Sequence, residues 1–226
     1  RARARDPDTK QGGAGPVSDR QRHLLGKIQE SCGRMVRLIG EILDLSKLEA
    51  GKLHLEMQRF DVGGLAAEVV ERFGPSAANK GIELTMRDAP ESYDLVGDAG
   101  RLDQVLMNLL GNALKFTRRG GRITVEVLAR GPEIELSVTD TGPGIAPSEL
   151  PLLFERFSQT SAARATATPG SGLGLLICRH LVEAHGACAG FAAARTPHAS
   201  EHFAFTTRAL ASPACAQDNE NCNLSH

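Results

Sequence analysis

The sequence predicts an α+β fold: a two-layer α/β sandwich in which helices cover a mixed sheet, preceded by one long coiled-coil-like helix. Three observations carry that prediction. Leu25, Ile28, Cys32, Met35, Ile39 and Ile42 recur at alternating steps of three and four, the seam of a coiled coil or bundle. Beyond Lys52, helical periods and strand-like alternations succeed one another, the pattern of helices packed on a sheet. The chain has 226 residues, 41% apolar and 23% charged. That composition is globular rather than disordered, and at about 150 residues per domain the length holds one domain or two.

Each element follows in chain order. Residues 1–18 carry Gly, Pro and charge without an apolar period and read as a flexible lead-in. A helix is predicted over 19–51, with Ser18-Asp19 as N-cap and Gly51 as its stop. Its single narrow apolar stripe calls for partner helices, most simply from a second copy of the chain. His54–Gln58 alternates like a strand, Val62–Phe73 reads as a helix, and Ile82–Met86 as another strand. Arg101–Phe116 is a strongly apolar helix. Ile123–Leu128 and Ile134–Thr139 are strands paired through the Arg130-Gly-Pro turn. Leu173–His185 is the last helix and His202–Thr206 the last strand, so one folded domain spans 52–210 and a polar, disordered tail 211–226.

Charge and cysteine usage exclude several classes of function. Lys plus Arg total 26 against 27 for Asp plus Glu, a net charge of −1, which gives no global attraction to nucleic acid or an anionic membrane. Without Trp and with one Tyr, aromatic stacking on nucleic acid is also disfavoured. No apolar run reaches the roughly 18–20 residues needed to span a bilayer. The five cysteines (Cys32, Cys178, Cys188, Cys215, Cys222) form no C-x-x-C pair, which points to a reducing compartment. The expected location is the cytoplasm, including the cytoplasmic part of a longer membrane protein.

Three motifs carry chemistry. Asn108, Asn112 and Lys115 fall on one face of the predicted helix. Carboxamide oxygens are hard ligands suited to Mg²⁺, and a neighbouring ammonium suits phosphate oxygens. Taken alone, this is also the polar edge of any solvated helix. Asp140-Thr-Gly142-Pro-Gly144-Ile145 follows a strand. Its glycines permit close approach to a flat ligand, and its carboxylate can accept from an exocyclic amine; a plain Asp-Thr-Gly-Pro turn has the same residues. Gly170-Ser171-Gly172-Leu173-Gly174 opens the last helix, where unpaired amides form an anion site. Between the second and third lie Phe154-Glu-Arg156-Phe157 and the small-residue stretch Ser158–Thr168, which reads as a mobile lid.

Together and in this order, the motifs resemble the ATP-binding catalytic module of bacterial sensor histidine kinases, in the GHKL (Bergerat-fold) ATPase group. Asn108 and Asn112 resemble its N box, and Asp140–Ile145 its first glycine box. Phe154–Phe157 resemble its F box, and Gly170–Gly174 its second glycine box. The stretch Ile42–Leu53 resembles the end of the second helix of the dimerisation and phosphotransfer hairpin. The resemblance implies ATP and Mg²⁺ as ligands. Asn112 would hold the metal with Asn108 nearby, and Lys115 would contact phosphate beside Phe116. Asp140 would read the adenine amine, Gly142, Gly144 and Ile145 would shape the adenine pocket, and Gly170, Ser171, Gly172, Leu173 and Gly174 would cradle phosphates. Phe154 and Phe157 would anchor the lid, with Arg156 in reach of a phosphate. Asn108 and Lys115 are the implied catalytic residues.

Hydrolysing members of the group, gyrase-like and MutL-like, resemble one another in a Glu four residues before the metal-binding Asn. Here that residue is Asn108, and a carboxamide is no general base. The resemblance therefore implies a protein histidine kinase, with γ-phosphoryl transfer to histidine and onward signalling to a response regulator. A homodimer is the implied assembly of the full-length, hybrid-type sensor. An acceptor His followed by Glu or Asp and then Arg-Thr-Pro-like residues is not found; His23 precedes Leu24, and His54, His180, His185, His198, His202 and His226 lie elsewhere. The expectation is thus a chain without acceptor His or H box. It is either a fragment beginning inside the hairpin loop or an ATP-binding, acceptor-less regulator that dimerises with another kinase. A serine kinase of the anti-sigma type is a further alternative. The family's glycine-rich hairpin is replaced by Ala187–Ser200, which is expected to weaken the final strand pairing.

Overall fold

The computed structural model describes residues 17–87, 94–130, 133–164, 170–186, 188–192 and 202–208. The expectations for residues 1–16, the turn residues 131–132, the lid residues 165–168 and the tail 211–226 lie outside the described residues. Two compact units divide the chain, residues 1–40 and 41–226.

Helix α1 runs from Asp19 to Glu49. The Ser18 hydroxyl accepts the Gln21 amide at 3.3 Å while the Gln21 side-chain oxygen accepts the Ser18 amide at 2.9 Å, a reciprocal capping box. At its other end Gly51 takes φ +62°, and the amides of Gly51 and Lys52 reach the carbonyls of Leu48 and Lys47, so the helix stops where a left-handed residue closes it. Leu25, Ile28, Met35 and Ile39 are all more than half exposed. Within the second unit, Leu45 is buried and Leu48 packs on the core.

The stretch His54–Gln58 is not the strand its alternation predicts. Strand β1 is Gln58–Asp61, because the Glu56 amide is taken by the Asp98 carboxylate at 3.0 Å rather than by a ladder partner. Helix α2 (Val62–Lys80) begins where Asp61 accepts the amides of Gly63 and Gly64, both at 3.1 Å. It outruns the expected end at Phe73 and passes through Pro75. An interior proline costs about 3 kcal/mol, offset by the burial of Ala77 and by a left-handed Gly81 cap at φ +68°. Strand β2 is Glu83–Arg87, and β3 (Asp94–Gly97), which the sequence reading missed, pairs antiparallel with β1.

Helix α3 (Ala99–Phe116) precedes strands β4 (Arg122–Arg130) and β5 (Glu133–Asp140). A short 3-10 helix (Leu150–Phe154), α4 (Ser161–Arg164) and α5 (Gly174–Ala184) follow. The chain then forms β6 (Cys188–Ala192) and β7 (His202–Arg208). The main sheet has the order β2-β4-β5-β7-β6. Only the β2–β4 pair is parallel, so the sheet is mixed as predicted. Of the stretch Ala187–Ser200, expected to weaken the final pairing, Cys188–Ala192 forms β6, which pairs with β7 from Cys188↔Thr206 to Ala192↔His202; residues 187 and 193–200 lie outside the described residues. Ladders join backbone groups, so Ala and Gly pair without help from large side chains. The core lies between sheet and helices: Ile123, Val125, Val127, Leu136 and Val138 of the sheet, with Leu102, Leu106 and Leu110 of α3 and Ile177 and Leu181 of α5.

Candidate functional site

The site is built around α3. Six apolar residues (Leu102, Val105, Leu106, Leu109, Leu110, Ala113) are buried and fix the helix, while Asn108, Asn112 and Lys115 stay half-buried. Its last-turn carbonyls have no partner within the helix. The Lys80 ammonium donates to two of them, Leu114 O at 2.5 Å and Lys115 O at 2.9 Å. Lys115 therefore leaves a fastened helix end. Its Nζ lies 5.1 Å from the Phe116 ring centroid, and burial lowers its pKa below the usual lysine range.

Asp140 ends β5 beside the end of α3. Burial pushes its carboxyl above the ordinary range, opposed by the Gly142 amide and the Thr117 hydroxyl. The Gly142 amide donates to Oδ1 at 2.6 Å. A Cβ on Gly142 would stand 2.7 Å from that same oxygen and 3.5 Å from the Phe116 carbonyl, so a side chain there would break the approach. The strand ends are tied by Thr141, whose hydroxyl accepts the Arg122 amide at 2.8 Å. Gly144 sits at φ +76°, and Ile145 is half-buried.

The glycine loop reaches both ends of the polar face of α3. A Cβ on Gly174 would lie 3.4 Å from Asn108 Oδ1, and one on Gly170 would lie 3.6 Å from Lys115 Nζ. Gly172, at φ +76°, has no room for any side chain: its Cβ would stand 2.7 Å from Phe157 C and Ser158 O. The loop is further held by Gln159, whose side-chain amide donates to Gly170 O, and by Ser171, whose hydroxyl accepts the Leu173 amide at 3.1 Å. Leu173 is fully buried.

The structure thus gathers Asn108, Lys115, Asp140, Gly142, Gly170, Gly172 and Gly174 about one helix. The two phenylalanines part company. Phe154 packs on the core beneath the Arg179 guanidinium, 5.4 Å from the ring centroid, whereas the Phe157 ring is 64% exposed and its backbone takes φ +58°. Arg156 is exposed. Two neighbours were missed as site residues: Thr117, which directly follows Phe116 in sequence, and Gln159, which nothing in its local sequence distinguishes. Cys178 lies fully buried beside Asn108, its thiol pushed up to about 12 by burial, so it stays protonated and is no nucleophile. Among the described residues, no three His, Cys, Asp or Glu side chains gather as a metal cage. The neutral hard-oxygen donors of α3 are its carboxamides, a set that fits Mg²⁺ shared with phosphate oxygens.

Residues 97–209 match the family described as "Histidine kinase-, DNA gyrase B-, and HSP90-like ATPase". Residues 6–51 match the "His Kinase A (phospho-acceptor) domain". The chain is 30% identical to the mycobacterial sensor histidine kinase MprB, covering 67% of this chain and 97% of that one, at a TM-score of 0.57. It belongs to the sensor histidine kinase family. Similarity to ShkA, solved full-length in complex with AMPPNP, is 32% over 85% of this chain and 39% of that one, at a TM-score of 0.72. Hybrid signal transduction histidine kinase L of Dictyostelium discoideum is 41% identical over 172 residues, 74% of this chain. The chain spans between 10% and 45% of the length of such curated relatives.

This family match corrects one expectation. A chain without acceptor His or H box is overturned by the phospho-acceptor domain at residues 6–51, in which His23 is the one histidine. The short His-Glu/Asp-Arg-Thr-Pro string is a local signature, whereas the domain is recognised through the whole helical pattern. Among the described residues, no helix is long and apolar enough to cross a membrane.

Proposed function

We propose that this histidine-kinase-family chain binds Mg·ATP and transfers the γ-phosphoryl group to a histidine of a phospho-acceptor domain. The observation that carries the reading is the approach of the glycine loop to both ends of the polar face of α3, Gly174 to Asn108 and Gly170 to Lys115. The ATP-binding domain is read as 52–210, and 19–51 as part of the dimerisation and phosphotransfer helices. Signalling through a response regulator, a homodimer in the full-length protein, and a cytoplasmic location complete the proposal.

Asp140 binds the adenine amino group through its carboxylate, while Gly142, Gly144 and Ile145 line the base. Asn112, with Asn108 nearby, would hold the metal. Mg²⁺ supplies charge neutralisation on the phosphate oxygens when bound. Lys115 and the amides of 170–174 hold the phosphate chain, and Ser171 fixes the turn. Phe154, Arg156 and Phe157 form the lid base, with Arg156 directed to phosphate as the lid closes. Phosphoryl transfer rests on positioning and electrostatics more than on covalent help. The imidazole nitrogen forms the new N–P bond as the β–γ bridging P–O bond breaks, and ADP leaves. Asn108 offers no base to activate water, so transfer outpaces hydrolysis.

The test is incubation of the chain with γ-labelled Mg·ATP, with and without a phospho-acceptor domain added in trans. The expected product is an acid-labile, alkali-stable phosphoprotein. Acid-stable label would mean a hydroxyl acceptor and a serine kinase; nucleotide binding without any label would leave a regulator.

A further inference from the structure

The two helices that carry the site lie side by side and antiparallel, in matching steps. Asp98 meets His185 at one end, Val105 O lies 3.8 Å from Cys178 Sγ midway, and Asn108 faces Gly174 at the other end. Only the first of these contacts uses strong hydrogen bonds. The Asp98 amide donates to His185 Nε2 at 3.0 Å, and His185 Nδ1 lies 2.7 Å from Leu181 O. A backbone amide can only donate and a carbonyl only accept. The ring is therefore the neutral tautomer with its proton on Nδ1.

His185 is held in a prepared seat. It is the C-cap of α5, and Gly97 lets it in: a Cβ there would stand 3.1 Å from His185 Cδ2. Asp98 is the N-cap of α3, its Oδ1 accepting the Arg101 amide and its Oδ2 the Glu56 amide, each at 3.0 Å. Burial alone would raise the Asp98 carboxyl, but the amides of Glu56 and Arg101, with the charge of Arg101, outweigh it and hold the pKa low. One imidazole thus pins the N-cap of α3 to the last turn of α5, about 15 Å from Asn108 at 1.5 Å per residue.

We propose that His185 is a positioning residue for nucleotide, setting the register of α5 against α3 and so the distance from the phosphate loop to the asparagines. The inference rests on the nucleotide reading of the site. A slip of one residue moves a helix by about 1.5 Å, and a misplacement near 1 Å is enough to cost on the order of 100-fold in a reaction that depends on alignment.

The test is calorimetry of AMPPNP, with Mg²⁺ and with EDTA, on the whole chain and on His185→Gln, His185→Asn and His185→Ala. Gln can place an acceptor oxygen where Nε2 stands; Asn mimics the Nδ1 donor only, and Ala neither. The expected result is that Mg²⁺ strengthens binding to wild type and to the Gln variant alike, within about twofold, while Asn and Ala lose about tenfold of that gain. Thermal melts identify any variant that is unfolded, and the Gln–Asn pair decides the matter if Ala does not fold. Equal Mg²⁺ gains in wild type and Ala, or equal losses in Gln and Asn, overturn the positioning role while leaving the nucleotide site intact. A wild-type chain that binds no AMPPNP overturns the nucleotide reading itself.

Discussion

Helices α1 and α3 are both amphipathic, and their apolar stripes meet opposite fates. Along α3 the stripe from Leu102 to Ala113 is sealed against sheet and helices, which frees the other side to present Asn108, Asn112 and Lys115 at a fixed height. Along α1 the stripe from Leu25 to Ile39 is exposed, each of Leu25, Ile28, Met35 and Ile39 by more than half. An apolar period specifies that a face will be buried, not by what. In α3 the cover comes from the same chain and the helix becomes a scaffold; in α1 nothing among the described residues covers the stripe.

Truncating the α3 stripe should do the most damage. Leu106→Ala, at a fully buried position, is expected to lower the unfolding free energy by about 2–5 kcal/mol in a denaturant titration; a loss below about 1 kcal/mol would mean the scaffold is not packed as described. Gly172→Ala comes next. A left-handed backbone and a 2.7 Å approach to Phe157 and Ser158 should cost about 1–3 kcal/mol and displace the loop, visible as weaker Mg·AMPPNP binding. Lys80→Met strips two carbonyls at the end of α3 of their donor and should cost about 1 kcal/mol. At the small end, Ile39→Ser on α1 should leave unfolding of the 41–226 unit within about 0.5 kcal/mol of wild type, while sedimentation shows weakened self-association. A large loss of stability there would erase the contrast between the helices.

The parts of the fold legible in the sequence are those whose period is long. The α3 stripe, the alternation of β4 and β5, and the capped ends of α1 are set by local spacing. β1 and β3 hold four residues each, and the register that defines them, Phe60↔Leu95 with the Arg59–Asp94 ion pair at 2.5 Å, exists only after residues far apart in sequence meet. The extension of α2 through Pro75 was hidden for the same reason, since its compensation lies in burial and a cap. The site glycines were legible as glycines, but the reasons for them were not. Nothing local shows that Gly172 lies against Phe157, that Gly97 admits His185, or that the Phe157 ring faces outward.

Asp140 joins the two sides of the account, because burial raises its pKa. The folded state then keeps the proton to higher pH than the unfolded chain. Stability falls as pH rises from the ordinary carboxylate range through the raised value. Removing the charge should therefore spare the fold at pH 7 and harm only the site. The most direct measurement is calorimetric binding of Mg·AMPPNP to wild type and Asp140→Asn at pH 7, with the melting temperature of each. The account predicts micromolar-range binding by wild type and a loss of about 100-fold or more in the variant, which melts no lower than wild type. Equal affinities, or a wild-type chain that binds no nucleotide, would contradict it.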